Sequence, residues 1–199
     1  MIHQPCPDIL KNKRILALDI ETTGLSIIYN TIIELGVIEI IDGKVKTEYT
    51  KLFGGGHSSM FLVRKIHHIK DSMRVGKKTF KECAEKISAF LSNSIIVTHN
   101  GNTFDIPMIQ QKLNEAGYSI NNFKTIDTLQ LVRKMRKKEG IDDDKKQQKR
   151  NTLQNLCKEF NLIYGGESGN NAHRGLEDSE ATIDLLFYLI NNNKIELSI

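Results

Sequence analysis

The sequence predicts an α/β fold, a mixed sheet of three antiparallel strands followed by parallel strands and flanked by helices. Three observations predict it. An apolar run from Arg14 to Ile20 has strand composition. Two β-rich runs follow, Thr31 to Ile41 and Lys44 to Phe53, separated by the hairpin dipeptide Asp42-Gly43. Beyond residue 79, short β-branched runs alternate with stretches of helical spacing, the pattern of strand-helix-strand units. With 199 residues the chain has room for one such domain, expected to span 1–199 with its core over about 14–193.

Taken in order, the first strand ends near Glu21 and Thr22-Thr23-Gly24-Leu25 makes a turn. The two hairpin strands complete the meander. From Gly54 to Lys78 the pattern loosens into a loop rich in Gly, Ser, His, Lys and Arg. Thr79 to Ser92 is helical, with Phe80, Cys83, Ala84, Ile87 and Leu91 on one stripe. Ile95 to Val97 is a strand, and Asp105 opens a helix over Ile106 to Ala116 that Gly117 closes. Thr125 to Thr128 is a short strand leading into a helix over Leu129 to Met135. A charged stretch, centred on about 137–151, is expected to be an exposed, poorly ordered connection. Asn151 or Thr152 caps a helix from Leu153 to Phe160, Gly165 to Asn171 is a flexible loop, and Asp178 to Ile190 is the last helix.

Composition constrains partners more than fold. The net charge of +4 suits a polyanionic partner, and equally reflects a chain rich in Ile, Asn and Lys. Three scattered cysteines, Cys6, Cys83 and Cys157, have no C-x-x-C spacing and read as reduced thiols. Neither a signal-peptide core nor an apolar run of membrane-spanning length is present, so a cytoplasmic protein without membrane association is expected.

Chemistry enters with Asp19, Glu21, Asp105, His173 and Asp178. Asp19 and Glu21 lie two apart on a strand and so share a face. Converging carboxylates repel one another, and divalent cations give them a reason to meet. Each residue also has a plainer reading. Asp-x-Glu can end an ordinary edge strand, Asp105 can be an N-cap, Asp178 can sit in a helix first turn for its dipole, and His173 can be a loop histidine. His173 and Asp178 are five residues apart, a rotation of about 140° on a helix, so one regular helix cannot aim both at one point. His173 therefore belongs to the preceding glycine-rich loop, whose mobility would let it swing toward a bound substrate.

In chain order the segments Leu18-Asp19-Ile20-Glu21-Thr22-Thr23-Gly24-Leu25, His99-Asn100-Gly101-Asn102-Thr103-Phe104-Asp105 and His173-Arg174-Gly175-Leu176-Glu177-Asp178 resemble the three motifs of the DEDDh, or DnaQ-like, exonucleases. Lys65-Ile66-His67-His68-Ile69 is similar to the family's Ile-His-Gly-Ile segment, with His68 in place of glycine. The resemblance runs from about Ile15 to about Leu189 and implies a ribonuclease H-like fold. It implies that Asp19, Glu21, Asp105 and Asp178 hold two Mg²⁺ or Mn²⁺ ions, and that His173 is the general base. The His-x4-Asp spacing assigns the histidine subclass; the tyrosine subclass would place its side chain at Arg174.

The resemblance further implies substrate contacts at Thr22, Thr23, Gly24 and Leu25, with Leu25 wedged against the terminal base or else part of the core. His67 and Asn100 match positions near the substrate strand. Lys65, Lys70, Arg74, Lys77 and Lys78 form either a phosphate track or a solvated face. The expected activity is 3′–5′ hydrolysis of single-stranded or frayed DNA ends, releasing nucleoside 5′-monophosphates in proofreading or repair. An exoribonuclease and a non-catalytic polymerase accessory module are the alternatives. Partners are single-stranded 3′ ends, DNA favoured over RNA, with a DNA polymerase or a second copy of the chain as protein partners.

Overall fold

The computed structural model describes residues 2–141, 144, 150–165 and 174–197. Its sheet has five strands in the order β3-β2-β1-β4-β5. These are β1 (Arg14–Thr22), β2 (Ile32–Ile41), β3 (Lys44–Leu52), β4 (Ser94–Thr98) and β5 (Phe123–Asp127). β1, β2 and β3 form the antiparallel meander, and β4 and β5 add in parallel on the other side of β1. Asp42 and Gly43 both have positive φ, 51° and 75°, as the tight hairpin turn requires.

The helices are α1 (Phe61–His67), α2 (Phe80–Leu91), α3 (Asp105–Glu115), α4 (Thr128–Lys138), α5 (Leu153–Glu159) and α6 (Gly175–Asn191). α2 starts at a capping box: Thr79 Oγ1 accepts from the Glu82 N–H, and the Glu82 carboxylate accepts from the Thr79 N–H. Thr152, not Asn151, caps α5.

Strand parity sorts the core into two faces. Leu16, Leu18 and Ile20 of β1 pack with residues of α2 and α3, such as Ile87 and Ile109. Ile15 and Ala17 point the other way and pack with Ile38, Ile40, Ile183 and Phe187, under α6. Asp19 and Glu21 have the parity of Ile15 and Ala17, so they belong to the face that α6 covers.

Three expectations need correction. The stretch from Gly54 to Lys78 is not simply a loop, since it contains α1 and a 3₁₀ turn at Asp71–Arg74. α1 escaped notice because Phe61, Leu62 and Ile66 are exposed, so no buried stripe marks it. α4 continues to Lys138, into the charged run, because Val132, Met135 and Arg136 turn inward. α6 begins at Gly175, three residues ahead of Asp178. The expected loop at Gly165 to Asn171 and most of the charged connection lie outside the described residues.

Candidate active site

β1 carries Asp19 and Glu21 past Ile15–Ala17, the residues that pair with β4, while β2 still pairs beside them. Asp105 is the first residue of α3, with Phe104 in the cap position, so the N-cap reading does not hold. The Asp105 carboxylate instead accepts the backbone N–H of Ile20 at 3.2 Å, between the two β1 acids. Asp178 lies in the first turn of α6 and is buried. That helix comes in close because Gly36, opposite Asp19, abuts Gly175, and Ser179 Oγ donates to the Gly36 carbonyl.

The four acids lie close enough for their charges to act on one another. The Asp19 carboxyl is held well above the usual range, first by burial and then by Asp105, Asp178, Glu21 and Glu34. Glu21 is pushed up to about 9 by burial and by Asp178, Glu34 and Asp105, with Arg174 opposing. Burial raises Asp105 to about 7, against the N–H groups that its carboxylate accepts. As the side chains stand, no three His, Cys, Asp or Glu residues among those described close into a metal-holding group. The donor set nevertheless suits a hard divalent cation: every ligating atom on offer is a carboxylate oxygen.

The neighbouring turn is self-bonded. Thr22 Oγ1 donates to the Gly24 carbonyl at 2.8 Å, Thr23 Oγ1 donates to Asn30, and the Thr23 carbonyl accepts the Met60 N–H. These bonds hold the turn against Met60, the residue before α1. Leu25 is 75% exposed, which removes the core reading and leaves it free to meet a base. Ile28, Tyr29, Phe61 and Leu62 are exposed as well.

His67 is the last residue of α1 and is buried, not a loop histidine. Its Nδ1 accepts the Ile69 N–H at 2.9 Å, so the neutral ring carries its proton on Nε2, which has no partner among the described residues. Burial lowers its pKa, with Glu34 pulling the other way. Next to it, His68 has φ 57°, which explains the resemblance's glycine at this place.

Asn100 is exposed with φ 67°. Asp127 steadies its loop: one carboxylate accepts the N–H groups of Asn100 and Asn102 and also caps α4 through Leu129 and Gln130. Arg74 leaves the supposed phosphate track, because its buried guanidinium donates to the carbonyls of Phe53 and Gly55. His173 lies outside the described residues.

Sequence reasoning missed three polar groups here. Glu34, 1% exposed on β2 and opposite Glu21, accepts from Arg174 and from the Gly175 N–H. Tyr164 donates its phenol proton to Asp178, and burial together with Asp178 and Asp19 raises the phenol pKa. Asp127 is the third. A visible signal existed for Glu34, a lone acid inside the apolar run Ile32-Ile33-Glu34-Leu35.

Among the described residues no helix is long and apolar enough to cross a membrane. The family model described as RNase T, exonuclease, matches residues 16–186. DNA polymerase III PolC-type of Lacticaseibacillus paracasei is 30% identical over 183 residues, which is 92% of this chain and 12% of the polymerase. The PolC-type polymerase of a bovine Staphylococcus aureus strain is 28% identical over 96% of this chain and 12% of its own length. The chain thus spans about an eighth of these relatives. Among solved structures, an Escherichia coli ExoI–ssDNA complex has TM-score 0.76 at 17% identity, covering 91% of this chain and 41% of that one. Exonuclease X in complex with 5′ overhanging duplex DNA has TM-score 0.64 at 24% identity, covering 92% and 93%. These likenesses show the ribonuclease H-like fold expected from the motifs. With the family model matched over most of its length, the chain belongs to the RNase T family of exonucleases, in its DnaQ-like, DEDDh branch.

Proposed function

We propose that this exonuclease hydrolyses single-stranded or frayed DNA from the 3′ end and releases nucleoside 5′-monophosphates, using two divalent cations, Mg²⁺ or Mn²⁺. The observation that carries the reading is the set of four carboxylates, Asp19, Glu21, Asp105 and Asp178, at one end of β1: Asp105, Asp178 and Glu21 raise the pKa of Asp19, and Asp178 raises those of Glu21 and Asp105. Such a set is unfavourable by itself and becomes favourable around positive charge. The ions, when bound, supply a nucleophilic water and stabilise the leaving oxygen.

The chain's own side chains do the rest. Asp19 and Glu21 present oxygens from a strand that β2 holds along this stretch, and Asp105 and Asp178 complete the set from two helix starts. His173, the expected base, takes the proton of the water that attacks phosphorus as the bond to the 3′-oxygen breaks. Leu25 meets the terminal base, and backbone groups near Thr23 and Gly24 admit the nucleotide. His67, within the charge influence of Glu34 and Arg174, offers its Nε2–H as a donor, and the exposed Asn100 offers its amide. DNA is favoured because the relatives are DNA polymerases and the structural neighbours hold DNA. Proofreading beside a polymerase is the setting that those relatives suggest.

Digestion of matched 3′-labelled DNA and RNA oligomers, with Mg²⁺ and with excess EDTA, tests this. Mononucleotides released from DNA only with metal are expected. Activity unchanged in EDTA would overturn the metal site, and preference for RNA would overturn the substrate. His173→Ala should lower turnover by roughly 10²–10⁴ while metal binding persists.

A further inference from the structure

We propose that Glu34 and Arg174 form a positioning pair that fixes the start of α6, and with it the direction of Asp178, relative to Asp19 and Glu21. Glu34 is 1% exposed, and both its oxygens are engaged. Arg174 Nε lies 3.0 Å from Oε2 and 3.2 Å from Oε1, and its terminal nitrogen lies 2.5 Å from Oε1. Oε2 also accepts the Gly175 N–H at 3.0 Å.

A planar fork on two oxygens fixes orientation as well as distance, which a single contact does not. The third bond goes to the first N–H of α6, so Glu34 bonds to the helix backbone and to its cap residue together. Asp178 is one turn further on, its N–H donating to the Arg174 carbonyl at 3.0 Å. Arg174 therefore touches Glu34 with its side chain and Asp178 with its backbone.

The register gives the arrangement its purpose. Glu34 pairs with Glu21 across β1 and β2, and Gly36 pairs with Asp19. The strand that carries Glu34 is thus the paired neighbour of both β1 acids, and the Glu34 fork sets the helix against that strand. Arg174 also brings a positive charge beside Glu21. Its bidentate pairing leaves Arg174 a scaffold group and not a phosphate ligand. Groups that hold a metal ligand in place commonly change metal affinity or activity 10–100-fold when removed.

The proposal rests on the metal-site reading above, and Mn²⁺ binding by the full chain, read from the EPR signal of free Mn²⁺ without substrate, separates the two. No Mn²⁺ binding by the wild type would sink the metal site itself. If the wild type binds, Glu34→Gln and Arg174→Lys should each bind about 10-fold or more weakly. Arg174→Lys keeps the charge and loses the fork, so its thermal midpoint should stay near wild type, and it decides the matter if Glu34→Gln fails to fold. Wild-type Mn²⁺ affinity in a folded Arg174→Lys protein would overturn the positioning role.

Discussion

Gly36 lies against Gly175 so tightly that a Cβ on Gly36 would fall 2.0 Å from the Gly175 carbonyl carbon. Backbone stands there, and backbone cannot swing aside. Gly36→Ala is therefore expected to destabilise the fold by about 1–3 kcal/mol or more and to lift α6 from β2. Urea unfolding measures the first effect. Exonuclease activity measured well below the unfolding midpoint should fall further than the folded fraction, since Asp178 moves with the helix.

The pH dependence of stability in metal-free protein has a definite sign. Asp105 rises from 3.8 to about 7 and Glu21 from 4.5 to about 9 in the fold. Acids whose folded pKa is raised contribute stability fully below their unfolded values, and it is lost as pH rises through the folded ones. Thermal midpoints without metal should thus decline from about pH 4 to about pH 9, and the difference from Asp105→Asn isolates the Asp105 share of that decline, which ends near pH 7. Excess Mg²⁺ should flatten the decline, and a midpoint that rises over this window would contradict the burial of these acids.

His68→Gly should stabilise the protein. A non-glycine residue at φ 57° costs about 1–3 kcal/mol, and glycine gives back roughly 0.5–1 kcal/mol in unfolded-chain entropy. A net gain of about 1 kcal/mol is expected in denaturant titration.

His67 offers a test by ring chemistry. Nitrogen NMR should find Nδ1 unprotonated and the proton on Nε2, with the ring neutral below its ordinary pKa of 6.5. His67→Asn keeps an acceptor for the Ile69 N–H and removes the Nε2 donor. It should fold normally and raise KM for oligonucleotide, whereas His67→Ala should lose about 1–3 kcal/mol of stability.

Asp127→Ala should be among the more damaging changes outside the acidic cluster. It leaves four amide donors without their shared carboxylate, an expected loss of about 2–4 kcal/mol by urea unfolding.

Much of this was legible in the residues. The meander followed from one apolar run, two β-rich runs and Asp42-Gly43, and the acids were marked by their spacing on β1 and at two helix starts. What stayed hidden was polar and long-range. Glu34 meets Arg174 across 140 positions, and Asp127 reaches back to Asn100 and Asn102, pairings that no local pattern encodes. α1 was hidden for the opposite reason, because its apolar side chains face outward and mimic no core. Arg74 looked like a surface cation, and only the carbonyls of Phe53 and Gly55 show where it points.

β1 is the one strand of the sheet with an antiparallel neighbour on one side and a parallel neighbour on the other. Both flanks of its backbone are committed over Ile15–Ala17, and past them Asp19 stays on the β2 ladder while the adjoining Ile20 N–H goes to Asp105. Asp105 and Asp178 hang from helix starts, where a small tilt moves a carboxylate by a few tenths of an ångström. If the site holds Mg²⁺ or Mn²⁺ as proposed, accommodation to the larger or smaller ion falls to α3 and α6, and tolerance between the two would follow from how those helices seat on β1.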